Sequence, residues 1–110
     1  MTPKYNFWLE IDGNVALSIW RVRLLQAVAE AGSISGGAVQ LGVPYRIAWQ
    51  KIHEMESCLG QKLVQTQVGG QAGGGTQLTP LAEEYVAKFS QFEQEVQTFL
   101  QAKYHAIFEG

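Results

Sequence analysis

The 110-residue sequence has little of several residue types that mark well-known protein classes. Cysteine occurs once, at Cys58, which excludes an intrachain disulfide and a thiolate metal site. The two histidines, His53 and His105, do not form with it a spacing typical of zinc ligands. We therefore expect no metal and no cofactor, and the single thiol is typical of a cytoplasmic protein.

Long apolar runs and an excess of positive charge are missing as well. The longest apolar stretches fall far short of the roughly 20 residues that span a bilayer, and residues 1–4 do not begin a signal peptide. We therefore expect no membrane association. Eight Lys and Arg face ten Asp and Glu, a net charge of −2, which argues against coating nucleic acid through bulk charge but allows a local basic patch. Apolar residues make up 46%, enough for one folded domain.

The N-terminal part of the chain has a strand pattern followed by a helix signal. Within residues 1–17, apolar and polar side chains alternate over 7–11, and a turn signal follows at 12–14. This pattern predicts a short hairpin. A first helix is expected to begin near Ser18, a suitable N-cap, and to end at Gly32.

A very short second helix and a third helix come next. Ser33 or Ser35 can cap the second helix, and Val39 is expected to be one of its apolar contacts. The glycine pair at 36–37 lies inside this helix, where each glycine costs about 1 kcal/mol relative to Ala. The pair therefore predicts close packing or the close approach of another group. Pro44 suits the first position of the third helix.

The third helix has a core face and a polar face. Its apolar residues recur at spacings of four, three and four: Ala48, Ile52, Met55 and Leu59. At 100° per residue the opposite face carries the polar residues Arg46, Gln50, His53 and Glu54. Trp49 falls on the flank, where we expect it to be buried between helices.

A hairpin with a glycine-rich tip precedes the last helix. Residues 63–68 have strand character, five of the seven residues 69–75 are glycine, and 76–78 can return as the second strand. Thr79 can cap a helix whose residues 81–108 contain no breaker and repeat apolar residues at heptad-like spacing. At 1.5 Å per residue this helix is about 40 Å long. That is more than a domain of this size needs, so the surplus apolar stripe is expected to pair with a partner.

Three helices, with a short turn between the second and third, and then a hairpin form the order of a winged helix-turn-helix. Within that order, several motifs resemble the N-terminal domain of the molybdate-responsive transcription regulators (ModE-like). The motifs are Ser33-Ile34-Ser35-X-Gly37-Ala38, Leu41-Gly42-Val43-Pro44-Tyr45-Arg46-X-Ala48-Trp49, Leu63-Val64 and the glycine wing that ends at Leu78-Thr79. The wider LysR-type winged helix is also similar, through Leu59-Gly60, Leu63-Val64 and Leu78-Thr79-Pro80.

The resemblance implies a mainly α fold of the α+β class, a winged helix-turn-helix with a β-hairpin wing and a long C-terminal dimerisation helix. The expected segments are 1–17 (strand or hairpin), 18–80 (winged helix-turn-helix) and 81–110 (dimerisation helix). The resemblance also implies a homodimeric, sequence-specific transcription regulator that binds double-stranded DNA. Family members usually carry C-terminal oxyanion-binding domains. Because this sequence ends at Gly110, we expect it to lack a molybdate-binding domain, and a separate sensor protein is one possibility.

The candidate DNA contacts are Ser33, Ser35, Tyr45, Arg46, Trp49, Gln50, Lys51, His53, Lys62, Gly70, Gln71 and Gly73. Arg46 can pair bidentately with guanine O6 and N7, whereas Gln50 and His53 are either base contacts or ordinary polar surface. Tyr45 either bonds a phosphate or packs at the core edge. The candidate dimer contacts are Leu81, Tyr85, Phe89, Phe92, Val96, Phe99 and Leu100.

The charge is unevenly distributed along the chain. Residues 18–80 carry five basic and three acidic side chains, whereas residues 81–110 carry two basic and five acidic ones. The acid therefore lies away from the proposed DNA face, but a net +2 is small for a chain that neutralises phosphates. A second hypothesis stays open, in which the winged helix binds another protein. No Ser/His/Asp arrangement stands out, and we expect no enzymatic activity.

Overall fold

The chain folds into two hairpins, one before and one after a group of three helices, and a long last helix. The structure is a computed structural model that describes residues 1–67 and 75–110. In these residues there are two antiparallel hairpins and four helices. In chain order the elements are β1 (Trp8–Ile11), β2 (Asn14–Ser18), α1 (Ile19–Ala31), α2 (Ile34–Leu41), α3 (Tyr45–Leu59), β3 (Val64–Gln67), β4 (Gly75–Leu78) and α4 (Pro80–Phe108). The predicted element order is confirmed.

The helix ends follow the capping residues of the sequence. Ser18 and Ser33 cap α1 and α2, and each hydroxyl accepts a hydrogen bond from a backbone N–H of the first turn. Ser33 rather than Ser35 is therefore the cap of α2. Pro44 is the N-cap of α3 and not its first residue, because its extended backbone (ψ 148°) places the first helical turn at Tyr45.

The short helix α2 packs closely against α1 through glycine. A Cβ on Gly37 would lie 2.6 Å from Val28 Cγ2 and 3.0 Å from the backbone nitrogen of Val28, and Val28 is fully buried. The predicted close packing is therefore confirmed. The expectation for Val39 is wrong, since this side chain is 79% exposed. It follows the buried Ala38 by one residue, and a rotation of about 100° points it away from α1.

The core lies around α1, which packs against α2, α3, α4 and β4. The largest fully buried side chains are Leu24, Leu25, Val28, Ile52, Met55 and Leu63. These residues come from α1, from the predicted apolar stripe of α3, and from the residue before β3. The exposed side of α3 is therefore held by a core that reaches as far as the second hairpin.

The helix α4 divides into a packed half and a free half. Phe89 is 2% exposed and stacks on Phe7, with ring centroids 5.4 Å apart. Phe89 is therefore a core residue of its own chain, and its prediction as a dimer contact is wrong. Beyond it several large apolar side chains are exposed, among them Phe92 at 46% and Phe99 at 65%. None of the helices in the described residues combines the length and the hydrophobicity that crossing a membrane requires.

Candidate nucleic-acid interface

The outer face of α3 presents aromatic and polar side chains together. Arg46 and Gln50 are exposed, Tyr45 is 52% exposed and Trp49 is 46% exposed. The expectation that Trp49 is buried between helices is wrong. It lies about a quarter-turn from the buried stripe of α3, at an angle that no neighbouring helix covers.

The indole of Trp49 is held by the residue one turn later. The rings of Trp49 and His53 stack with centroids 3.8 Å apart and planes inclined by 21°. His53 Nδ1 lies 2.8 Å from the backbone oxygen of Trp49. Because a carbonyl oxygen only accepts, Nδ1 is the donor, and this bond fixes the orientation of the imidazole. The two rings therefore form one stacked pair with a fixed orientation.

Two cations near α3 share a single acid. Glu54 Oε1 lies 3.1 Å from the Arg21 guanidinium and 3.6 Å from Lys51 Nζ, and Arg21 also donates to the backbone oxygen of Val15. Glu54 therefore offsets part of the positive charge of Lys51. Arg46, in contrast, forms no ion pair with any residue in the described part of the chain.

A buried carboxylate joins α3 to the second hairpin. Glu56 is 8% exposed, and its Oε2 accepts hydrogen bonds from the backbone N–H groups of Leu63 (2.8 Å) and Val64 (3.3 Å). Its Oε1 lies 3.8 Å from His53 Nε2 and 3.9 Å from Lys62 Nζ. Sequence reasoning missed this role, although Glu56 follows the core residue at position 55 directly and so lies at the edge of the apolar stripe.

The second hairpin has two further attachments to the body. The backbone N–H of Thr76 donates to the oxygen of Gly32 at the end of α1 (2.7 Å), and the Thr79 hydroxyl donates to the oxygen of Lys62 (2.8 Å). The side chain of Lys62 is itself 78% exposed. The base of the hairpin is therefore closed and tied to the end of α1, and Glu56 joins it to α3. The predicted wing contacts Gly70, Gln71 and Gly73 lie outside the described residues.

A groove of about 560 Å³ runs along the exposed side of α3. Asn14 and Val15 of β2 line one part of it, and Trp49, Gln50 and His53 line another. This side of α3 is therefore concave. Two further candidates lie at the start of α2: the Ser33 hydroxyl caps this helix, and Ser35, two residues later, is exposed. No group of three or more His, Cys, Asp or Glu side chains that could hold a metal ion occurs within residues 1–67 and 75–110.

The predicted dimer contacts do not form one exposed stripe. Leu81 and Tyr85 are half-buried, and Tyr85 packs against the core of the same chain. Phe92 and Phe99 are exposed, and together with the half-buried Val96 they line a shallow apolar depression on α4. Leu100 is half-buried. Among the predicted dimer contacts, those that are exposed therefore lie on the half of α4 beyond Phe89.

Comparison with known proteins extends the likeness over most of the chain. Residues 19–83 match the family model described as bacterial regulatory helix-turn-helix protein, lysR family. The molybdenum transport protein ModE of Azotobacter vinelandii is 39% identical over 92 residues, which are 84% of this chain and 34% of that protein. The DNA-binding transcriptional dual regulator ModE of Escherichia coli K12 is 36% identical over 74 residues, 67% of this chain and 28% of that protein. The chain thus spans about a third of the length of these relatives.

Solved structures share the fold. In a CbnR DBD–DNA complex the protein superimposes with a TM-score of 0.62 at 20% identity, covering 79% of this chain and 94% of that one. In a BenM DBD complex with benA site 1 DNA the TM-score is 0.61 at 18% identity, with 83% and 97% covered. The winged-helix fold and both resemblances expected from the motifs are confirmed. This chain belongs to the lysR family of bacterial regulatory helix-turn-helix proteins.

Proposed function

We propose that this chain is a sequence-specific DNA-binding transcription regulator, acting as a cytoplasmic homodimer and without catalytic activity of its own. The observation that carries the proposal is the outer face of α3. There an arginine without an ion pair in the described residues, Arg46, stands beside Gln50 and two exposed aromatic side chains. A relative named as a DNA-binding regulator and DNA complexes of the same fold support this interpretation.

In this proposal α3 enters the major groove of double-stranded DNA with its first turns. Arg46 pairs with guanine O6 and N7, and Gln50, one turn later, pairs with adenine N6 and N7. Tyr45 and Ser35 reach phosphates beside the groove. Lys62 and the wing residues, Gly70, Gln71 and Gly73 among them, approach the adjacent backbone.

The test begins with selection of bound sequences from a random DNA pool by the purified full chain. Arg46→Ala is then expected to lower affinity for the selected site by about 5- to 150-fold, corresponding to 1–3 kcal/mol for a bidentate base contact. Arg23→Ala is the matched control, because Arg23 is also exposed (64%) but lies on α1 next to Glu93, away from α3. If Arg46→Ala binds the selected site as tightly as the wild type, Arg46 is not part of the interface.

The protein-binding alternative gives a different result in the same assay. It is favoured by Glu54, which lies beside Arg21 and Lys51 and lowers the positive potential next to α3. A protein-interaction module would enrich no sequence from the pool and would not be retained on random DNA even at low salt. Such an outcome would overturn the DNA-binding proposal.

We place the dimer contacts on α4 beyond its buried half. Phe92, Val96, Phe99 and Leu100 supply the apolar surface, and the segments 1–17 and 81–110 flank the DNA-binding segment 18–80. Two α3 helices related by a twofold axis would then meet successive major grooves of a roughly palindromic site. Leu81 and Tyr85 contribute only what remains exposed beside the core of their own chain.

Sedimentation equilibrium tests the dimer. Phe99→Glu is expected to give a folded monomer, because Phe99 is 65% exposed in the single chain and contributes little to its core. Phe89→Ala is the contrasting variant. Truncation of this buried ring is expected to cost about 3–5 kcal/mol of folding free energy. A wild-type chain that sediments as a monomer at all concentrations would contradict the dimer.

We propose that these 110 residues bind DNA without molybdate. The segments that match them make up 25–34% of the molybdenum-related relatives. Molybdate added to the purified chain is expected to leave its DNA affinity unchanged, and a molybdate effect on that affinity would refute the proposal.

A further inference from the structure

We infer that Trp49 determines sequence specificity by contacting the 5-methyl group of a thymine in the major groove. The inference rests on the proposed function and adds to it the kind of base that is read. Three observations support it: the exposure of the indole, the contacts that hold the Trp49 side chain, and the distance of Trp49 from Arg46 along α3.

The position of Trp49 places it one base step from the arginine. Trp49 follows Arg46 by three residues, which is about 4.5 Å along the helix axis. Successive bases of one DNA strand are separated by about 3.4 Å. When Arg46 pairs with a guanine, the indole therefore lies beside a neighbouring base pair, and its 46% exposure leaves an apolar ring face free.

The indole is also held in place before any partner arrives. His53 stacks on it at 3.8 Å between centroids, and the Nδ1–H of His53 is bonded to the backbone oxygen of Trp49 at 2.8 Å. The other ring nitrogen of His53 faces the buried carboxylate of Glu56 at 3.8 Å. A side chain fixed in this way loses little conformational freedom on binding, so the contact is made at low entropic cost.

The chemistry of the major groove singles out thymine as the partner. Thymine presents a C5-methyl group there, whereas adenine, guanine and cytosine present only hydrogen-bonding atoms as their distinguishing features. An exposed indole face offers apolar contact, and its single polar atom is a donor. Glu54 lies 3.6 Å from Lys51 and lowers the positive potential beside the indole, which gives an apolar contact a larger share of the binding energy.

The experiment replaces thymine by deoxyuridine, one position at a time, in a site obtained by selection with the wild-type full chain. Deoxyuridine keeps every hydrogen-bonding atom and removes only the methyl group. At one position in each half-site, wild-type affinity is expected to fall about fourfold, which is the value of burying one methyl or methylene group, about 0.8 kcal/mol. At the same position Trp49→Ala should bind thymine and uracil equally, and Trp49→Phe should retain part of the difference.

Arg46→Ala is the matched control, since it weakens binding but should leave the thymine-to-uracil ratio unchanged. Thermal unfolding establishes that Trp49→Ala is folded, which is expected because the indole lies outside the core. If no thymine shows a uracil effect, or if the effect is the same in wild type and Trp49→Ala, the inference is overturned while DNA binding by α3 stands. If the wild-type chain selects no DNA at all, the proposed function fails together with it.

Discussion

Glu56 is the residue whose replacement tests most directly how the wing is tied to α3. The carboxylate is 8% exposed and accepts two backbone N–H groups, those of Leu63 and Val64, at the start of the wing. The hydrogen-bond acceptor and the charge are both lost in Glu56→Ala. Leu63 is fully buried, so water has no easy access to the N–H group that is left behind.

The expected loss follows from these two hydrogen bonds. A buried donor left without an acceptor costs about 1–3 kcal/mol, and a bond to a charged acceptor about 1.5–3 kcal/mol. The Val64 N–H group is only partly buried, and water can replace its partner. We therefore expect Glu56→Ala to lower the free energy of unfolding by about 2–3 kcal/mol. For a chain of this length the melting temperature should fall by about 10 °C.

Thermal unfolding at a fixed protein concentration provides the measurement, because a dimer melts at a concentration-dependent temperature. Glu30→Ala is the control. Glu30 is exposed near the end of α1 and forms no ion pair in the described residues, so its loss should change stability by less than about 0.5 kcal/mol. Glu56→Gln, which keeps an amide oxygen, should recover part of the loss. If Glu56→Ala and Glu30→Ala have the same melting temperature, the Glu56 carboxylate does not anchor the wing.

Three further predictions concern packing, titration and salt. Gly37→Ala should lower the free energy of unfolding by about 1–3 kcal/mol in urea titrations, because its Cβ would meet Val28 at 2.6 Å; unchanged stability would contradict the close packing. The hydrogen bond that Tyr5 donates to Glu93 (2.8 Å) raises the pKa of the Tyr5 phenol, so this contact stabilises the fold below the ordinary tyrosine pKa and is lost as pH rises through the raised value. Tyrosinate absorbance should lose its most alkaline component in Tyr5→Phe. The slope of log affinity against log salt should be about −2 per protomer, since about two cations near α3, Arg46 and the 78% exposed Lys62, are available to the DNA; a slope near −5 would refute this count.

The secondary structure of this chain could be read from its local signals because those signals agree with the tertiary fold. Ser18, Ser33 and Thr79 are capping residues, and their hydroxyls accept the expected bonds at the starts of α1, α2 and α4. What periodicity could not determine is which element covers each face. Phe89 and Phe92 belong to one apolar stripe in the sequence, and Phe7 contacts both rings. Only Phe89 is buried, because it also packs into the hydrophobic core.

For a similar reason, only part of the candidate site could be predicted from the sequence. The polar face of α3 follows from its helical angle, so Arg46 and Gln50 could be placed on it from the sequence alone. The partners of charged side chains depend on elements distant in the chain. Arg21 reaches Glu54 across 33 residues, and the wing returns to Glu56 only after the turn at the end of α3. Sequence reasoning therefore counted cations without knowing which of them were already paired.

The pairing of charges indicates how a chain of net charge −2 would bind DNA in the proposed complex. Glu54 and Glu56 use nearby cations and backbone donors to hold α3, the first hairpin and the wing in fixed positions. This lowers the electrostatic attraction to phosphates, which supplies essentially all of non-specific DNA binding. The proposed contacts to base edges would not be lowered to the same extent, because Arg46 is outside these pairs and Trp49 is uncharged. In the proposed DNA complex the same acids would therefore lower general affinity for DNA and raise the ratio of specific to non-specific binding, which is the quantity that matters for finding one site among many.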